Sequence, residues 1–110
     1  MLFCITANYT SKALNAMLEN PGSDRKAAVE KLVTAAGGKL VGFYYTTTDG
    51  PGAHVIIDAD PIAAAAISGT AAASDGVRDV KMTRLWTHDE VLAIRKKRAE
   101  IHKSYKAPGQ

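Results

Sequence analysis

The sequence predicts an α+β fold in which helices cover one face of a four-stranded antiparallel sheet. Two runs rich in β-forming residues flank the turn sequence Asp-Gly-Pro-Gly at residues 49–52, and an alanine-rich helical segment follows. Along the whole chain, apolar residues alternate between a period of two and a helical period. The resulting order is strand, helix, strand, strand, helix, strand, with one more helix at the end. This is the order of the ferredoxin-like βαββαβ fold, or split βαβ unit.

The first strand is predicted over residues 2–9, where Phe3 and Tyr9 fall on one face. A helical segment follows, with Thr10 or Ser11 as its N-cap. Pro-Gly at residues 21–22 interrupts this segment, and Ser23 restarts it. Gly-Gly at residues 37–38 ends the helix, because glycine takes the left-handed conformation at low cost.

The second and third strands are predicted at residues 39–47 and 53–58. Strict alternation places Val41 on one face of the second strand, together with Phe43 and Tyr45. The same alternation places Leu40 and Tyr44 on the other face. Large side chains therefore stand on both faces of this strand, so one set is expected to lie at an interface. In the third strand, one face carries His54, Ile56 and Asp58.

The second half of the chain begins with Asp60-Pro61, an N-cap followed by proline at the first helical position. This helix is poor in bulk, which indicates close backbone packing or, alternatively, a cavity above the sheet. The last strand is predicted over residues 77–86. Thr87 and Glu90 then have the spacing of a capping box. They open a C-terminal helix that we expect to extend across the sheet and to carry an apolar stripe. The stripe comprises Val91, Ile94, Ile101 and Tyr105, with Arg98 among them.

The composition is that of a small globular domain, with 46% hydrophobic and 23% charged residues in a chain of 110. No apolar run is long enough to span a bilayer. The N-terminal segment lacks a basic flank, which argues against a secretory signal. Cys4 is the single cysteine, so no internal disulfide can form. We therefore predict a cytoplasmic protein with one domain over residues 1–106 and a frayed tail over residues 107–110.

The charge is unevenly distributed along the chain. From Arg95 onward there are 6 basic residues and 1 acidic residue, or +5, whereas the remainder holds 8 basic and 10 acidic residues, or −2. The run Arg95-Lys-Lys-Arg98 could contact phosphates. Such a run is more often a solvated helix face, and no aromatic pattern of an RNA-binding motif accompanies it. The sequence thus disfavours a nucleic-acid partner.

With these elements in this order, the chain resembles the GYD family, a group of small proteins. The resemblance extends to about Ile94 and rests on the order and spacing of several short motifs. These are Asn8-Tyr9-Thr10, Gly37-Gly38-Lys39-Leu40, Tyr44-Tyr45, Asp58-Ala59-Asp60 before an alanine-rich helix, and Thr-x-x-Glu after the last strand. The chain departs from the family at its eponymous Gly-Tyr-Asp, where Gly52-Ala53-His54 stands. The resemblance implies a dimeric α/β barrel, in which two ferredoxin-like sheets pack face to face, but that fold alone does not select a function.

His54 is the candidate catalytic residue. It follows a glycine-rich turn and shares a strand face with Asp58, and a histidine near a carboxylate can shuttle protons. The commoner alternative is a half-exposed histidine at a sheet interface. His54, His88 and His102 have no metal-ligand spacing. No P-loop follows the glycine-rich turn, so we expect neither a metal nor a cofactor.

The candidate ligand-binding residues are aromatic side chains and one arginine. Aromatics with polar tips suit a pocket for a planar organic molecule, and equally suit sheet packing or a dimer interface. The arginine interrupts an apolar strand face and needs a partner: an anionic ligand, Asp79, Asp58 or a carboxylate of a second subunit. An ion pair is the favoured choice. The candidates are Tyr9, Tyr44, Tyr45, Arg84 and Trp86.

Three functional hypotheses follow. The first is a homo-oligomeric small-molecule-binding domain, either a cofactor-free enzyme of the oxygenase or isomerase kind or a protein without catalysis. The second is a ligand-sensing or regulatory module. The third is weak nucleic-acid binding through the basic C-terminal helix. An enclosed pocket with a base, above all His54, would favour an enzyme, and one without a base would favour a sensor.

Overall fold

A computed structural model describes all 110 residues and confirms the predicted order of elements. Four strands form one antiparallel sheet in the order β2-β3-β1-β4, which confirms the α+β ferredoxin-like fold. The strands are β1 (Leu2–Tyr9), β2 (Lys39–Thr46), β3 (Gly52–Asp58) and β4 (Val77–Leu85). The helices are α1 (Ser11–Glu19), α2 (Arg25–Ala35), α3 (Pro61–Ala72) and α4 (His88–Ile101), followed by a 3₁₀ turn (His102–Ser104).

Each helix begins at a polar side chain that accepts a backbone N–H of the first turn. Thr10 caps α1, which resolves the choice between Thr10 and Ser11. Asp24 caps α2, one residue later than the predicted restart at Ser23. Asp60 caps α3 through the N–H of Ala63. The short side chains at these positions satisfy N–H groups that have no partner within the helix.

The core lies between the sheet and the two helices α2 and α3. Ile57, Val33 and Ala64 are fully buried there. The alanines of the first half of α3 let its backbone approach the sheet closely, as predicted for a helix poor in bulk. The buried apolar cluster comprises Phe3, Ile5, Val33, Val55, Ile57, Ala59, Ala63, Ala64 and Ile67.

The predicted faces of β2 are wrong at the start of the strand. The pairing of β2 with β3 shifts by one residue between Leu40 and Gly42. Leu40 therefore packs on the core side together with Phe43, whereas Val41 is 54% exposed. Strict alternation had placed Leu40 and Phe43 on opposite faces. A bulge inserts one residue and reverses the faces on one side of it, and the sequence carries no separate signal for it.

Helix α4 projects from the body of the protein and does not extend across the sheet. None of its residues is buried. The radius of gyration is 18.0 Å and the extents are 60 × 32 × 21 Å, whereas a compact chain of this length has a radius of about 13 Å. Only the first turn of α4 contacts the sheet, so the predicted extension of the C-terminal helix across the sheet is wrong.

Candidate functional site

The structure divides the predicted site residues among three places. Paired residues of antiparallel strands share a face, so His54, Tyr44 and Thr6 lie together on the open face of the sheet. Tyr9 and Tyr45 lie on the side that the helices cover. Arg84 and Trp86 lie at the end of β4 from which α4 departs. The predicted residues therefore do not form a single site.

A cavity of about 920 Å³, half open to solvent, lies on the helix side, between α1, α2 and the end of α3. This size is within the usual range for small-molecule pockets. Tyr9 and Val77 lie at the strand ends that border it. Most of the wall is apolar and made of small side chains. The apolar lining comprises Ala13, Ala16, Met17, Ala28, Val29, Leu32 and Ala71.

The cavity exists because α1 is not packed tightly against its neighbours. This helix has nine residues and an apolar side, yet none of its residues is buried and Leu18 is 79% exposed. Alanines on α2 and α3 leave further space. For the alanine-rich helix α3, the sequence left close packing and a cavity above the sheet as alternatives, and the structure contains both. Packing is close around Ala64, and the cavity opens near Ala71.

Tyr9 and Arg25 are two of the donor groups that line this helix-side cavity, along with the polar side chains of Asn20, Ser23, Thr70 and Ser74. Tyr9 is only 7% exposed. Burial raises the pKa of its hydroxyl, and Tyr45 adds to this increase, whereas the neighbouring Arg25 guanidinium opposes it. Arg25 takes part in none of the ion pairs of the protein. The nearby carboxylate of Asp24 accepts the N–H of Ala27 at 2.9 Å, so a phenol and an unpaired cation face an apolar space.

His54 lies instead in a half-open polar depression of about 470 Å³ on the open face of the sheet. No hydrogen bond or ion pair joins His54 to Asp58, its predicted neighbour. Asp58 accepts the N-terminal ammonium of Met1 at 2.9 Å, and this bond lowers the pKa of its carboxyl. His54 stays a candidate, and the carboxylates that share the depression with it are those of Asp49 and Asp79, not that of Asp58.

Arg84 forms a local ion pair, as favoured from the sequence, but its partner is Glu90, at 2.7 Å. Arg84 also donates to the carbonyl oxygens of Leu2 and Leu85. Its guanidinium carbon lies 4.3 Å from the centre of the Trp86 ring. The sequence predicts Glu90 only as a capping-box residue, and this role is confirmed. Arg84 and Trp86 thus attach the first turn of α4 to the sheet.

Other candidate chemistry is missing from the structure. No group of three or more histidine, cysteine, aspartate or glutamate side chains could hold a metal ion. Cys4 is buried, and burial raises the pKa of its thiol, so the reactive thiolate is disfavoured. None of the helices combines the length and apolar character required to cross a membrane.

The structure and the sequence together define the class of this protein as a small α+β domain of ferredoxin-like topology. The GYD domain model matches residues 3–94, so the chain belongs to the GYD family. This confirms the resemblance predicted from the short motifs, including its end at Ile94. No curated protein matches the sequence. The basic run that starts at Arg95 lies outside the match.

Sequence reasoning missed Arg25 and the cavity beside it. One signal was available: Arg25 occupies the first turn of α2, where the helix dipole disfavours a cation. A basic residue at such a position is worth examining for a partner. The cavity itself had no comparable signal, because its shape depends on how three helices are placed relative to one another.

Proposed function

We propose that this protein is a homo-oligomeric domain that binds a small organic molecule in the helix-side cavity. The observation that carries the proposal is a cavity of ligand size that combines apolar walls with the hydroxyl of Tyr9 and the guanidinium of Arg25. Ligand pockets typically combine a mostly apolar lining with a few convergent polar groups. The single buried cysteine accords with a cytoplasmic location.

A binding or sensing role is better supported than catalysis. The helix-side cavity contains no histidine, and its only carboxylate, that of Asp24, is engaged at the helix cap. His54 lies on the opposite side of the sheet, in a mostly polar depression of about half the volume of the helix-side cavity. An enzymatic role for His54 would require a second copy to enclose this depression. The cofactor-free enzyme therefore stays an alternative that depends on assembly.

The binding proposal can be tested with 1-octanol and octanoate as probes. We expect titration followed by amide NMR to shift the resonances of residues that line the helix-side cavity, such as Ala13, Ala28 and Ala71. Ala71→Leu places a larger side chain in this space and should weaken binding of both probes by about tenfold or more. Calorimetric titration gives the affinities.

Ala65→Leu is the matched control, because Ala65 is an exposed residue of the same helix that does not line the cavity. It should bind both probes as the wild type does. If the wild type binds neither 1-octanol nor octanoate, the proposal is refuted. Shifts confined to His54 and Tyr44 would move the binding site to the open face of the sheet.

We also propose that a second copy of the chain covers α4. An isolated helix of this length is marginal in water, yet Ile94, Ile101 and Tyr105 are 39%, 54% and 73% exposed. The +5 charge of the C-terminal segment and the −2 charge of the remainder favour contact between α4 and the body of another copy. The same charges oppose contact between two α4 helices. Weak nucleic-acid binding is the alternative use of this basic segment.

A further inference from the structure

We infer that the ligand of the helix-side cavity is an amphipathic monocarboxylate. In this assignment, Arg25 and Tyr9 bind the carboxylate, and the small apolar side chains of α1, α2 and α3 surround the rest of the molecule. This inference rests on the proposed binding function and adds the chemical class of the ligand.

The first step of the argument concerns Tyr9. Its side chain is more than nine-tenths buried and borders the cavity, and no carboxylate or carbonyl oxygen of the chain accepts its hydroxyl proton. No fully buried polar side-chain atom of the protein lacks a hydrogen-bond partner, so the hydroxyl of Tyr9, which has no acceptor, reaches the open space of the cavity. An oxygen atom of a ligand in the cavity can accept its proton.

The second step concerns Arg25. Its guanidinium adjoins the Tyr9 hydroxyl and has no carboxylate within ion-pair distance. The dipole of α2 further disfavours a cation in this first turn. A carboxylate suits both groups, since it can accept two parallel N–H bonds from a guanidinium as well as the phenol O–H.

The third step concerns the remaining lining of the cavity. Beyond Arg25, the walls toward Met17, Leu32 and Ala71 are apolar and offer no second cation. The carboxylate of Asp24 would repel a second negative charge. The cavity therefore suits one carboxylate on an apolar body and disfavours a dicarboxylate.

The experiment compares octanoate, 1-octanol and octylamine in calorimetric titrations at pH 7. Hydrogen bonds to a charged group contribute about 1.5–3 kcal/mol, so octanoate should bind about 10-fold to 100-fold more tightly than 1-octanol. Octylamine should bind most weakly. Arg25→Gln should bring the affinity for octanoate down to that for 1-octanol and leave the 1-octanol affinity unchanged.

Lys26→Gln removes the same charge from the next residue, which is exposed and does not line the cavity, and should preserve the preference for octanoate. Tyr9→Phe keeps the buried ring and should reduce octanoate binding about 3-fold to 10-fold. Equal binding of octanoate and 1-octanol to the wild type would overturn the inference and leave the proposed function intact. A preference for octanoate that survives Arg25→Gln would also overturn it, and binding of neither probe would remove both proposals.

Discussion

At the scale of single residues, Gly52 shows how closely the central strands approach each other. A Cβ atom at this position would overlap the carbonyl oxygen of Ala7 and would lie 2.6 Å from Asn8 Oδ1 and 2.9 Å from Thr46 Oγ1. Two of these neighbours are on β1 and one is on β2, so the crowding comes from both sides of β3. Glycine is required at the start of this strand because there is no room for a Cβ atom.

We expect Gly52→Ala to lower the free energy of unfolding by about 1–3 kcal/mol, the usual cost of overpacking. Gly69 is the matched control, because it lies within α3 with no atom within 4 Å of an added Cβ. Gly69→Ala should raise the free energy of unfolding by roughly 0.5–1 kcal/mol. Urea unfolding measures both changes. Equal and small effects at the two positions would contradict the close approach described for Gly52.

At the scale of elements, the first turn of α4 is stabilised by hydrogen bonds and charge more than by packing. Thr87 and Glu90 form a reciprocal capping box. The hydrogen bond from the Thr87 backbone lowers the pKa of the Glu90 carboxyl, and the Arg84 guanidinium contributes to the same shift. A carboxyl group whose pKa is lower in the folded than in the unfolded state stabilises the folded helix at pH values above its unfolded-state pKa. This contribution is lost as the pH falls through the lower, folded-state value.

We therefore expect the amide signals of α4 to lose helical character as the pH falls below about 4.3, the usual pKa of glutamate. Residue-specific NMR chemical shifts measure this change. Glu90→Gln keeps an acceptor for the cap but loses the charge that faces Arg84, so its α4 signals should be less helical at pH 7 and less sensitive to acid. Glu100→Gln, which removes an exposed pair with Lys97 on the same helix, should retain the acid-dependent step. An identical step in Glu90→Gln would assign the effect to other groups.

At the scale of the whole molecule, the core and the C-terminal helix are separate. The buried cluster draws on β1, β3, α2, α3 and on Ala59 between β3 and α3, and on no residue of α4. Helix α4 instead presents exposed apolar side chains on a segment of high positive charge. We therefore expect the body to fold without α4 and the proposed assembly of two copies to depend on it.

Deletion of residues 87–110 should convert the proposed oligomer into a folded monomer. Light scattering at micromolar concentration measures the mass, and circular dichroism checks that the sheet persists. Deletion of residues 107–110 alone should leave the number of subunits unchanged, because these residues follow the helical segment. A monomeric full-length chain would contradict the proposal, as would a truncated chain that keeps the mass of the oligomer.

The sequence by itself determined the order of the strands and helices, the caps at Asp60 and Thr87, and membership of the GYD family. These features depend on local patterns, since alternation, capping residues and turn glycines act within a few neighbouring residues. Only the tertiary structure decided that Leu40 joins the core through a bulge, that Arg84 pairs with Glu90, and that His54 and Tyr9 lie on opposite sides of the sheet. The tertiary structure alone also decided that a cavity lies beside Tyr9 and Arg25. Each of these features depends on the relative placement of elements, and the spacing of residues along the chain does not encode that placement locally.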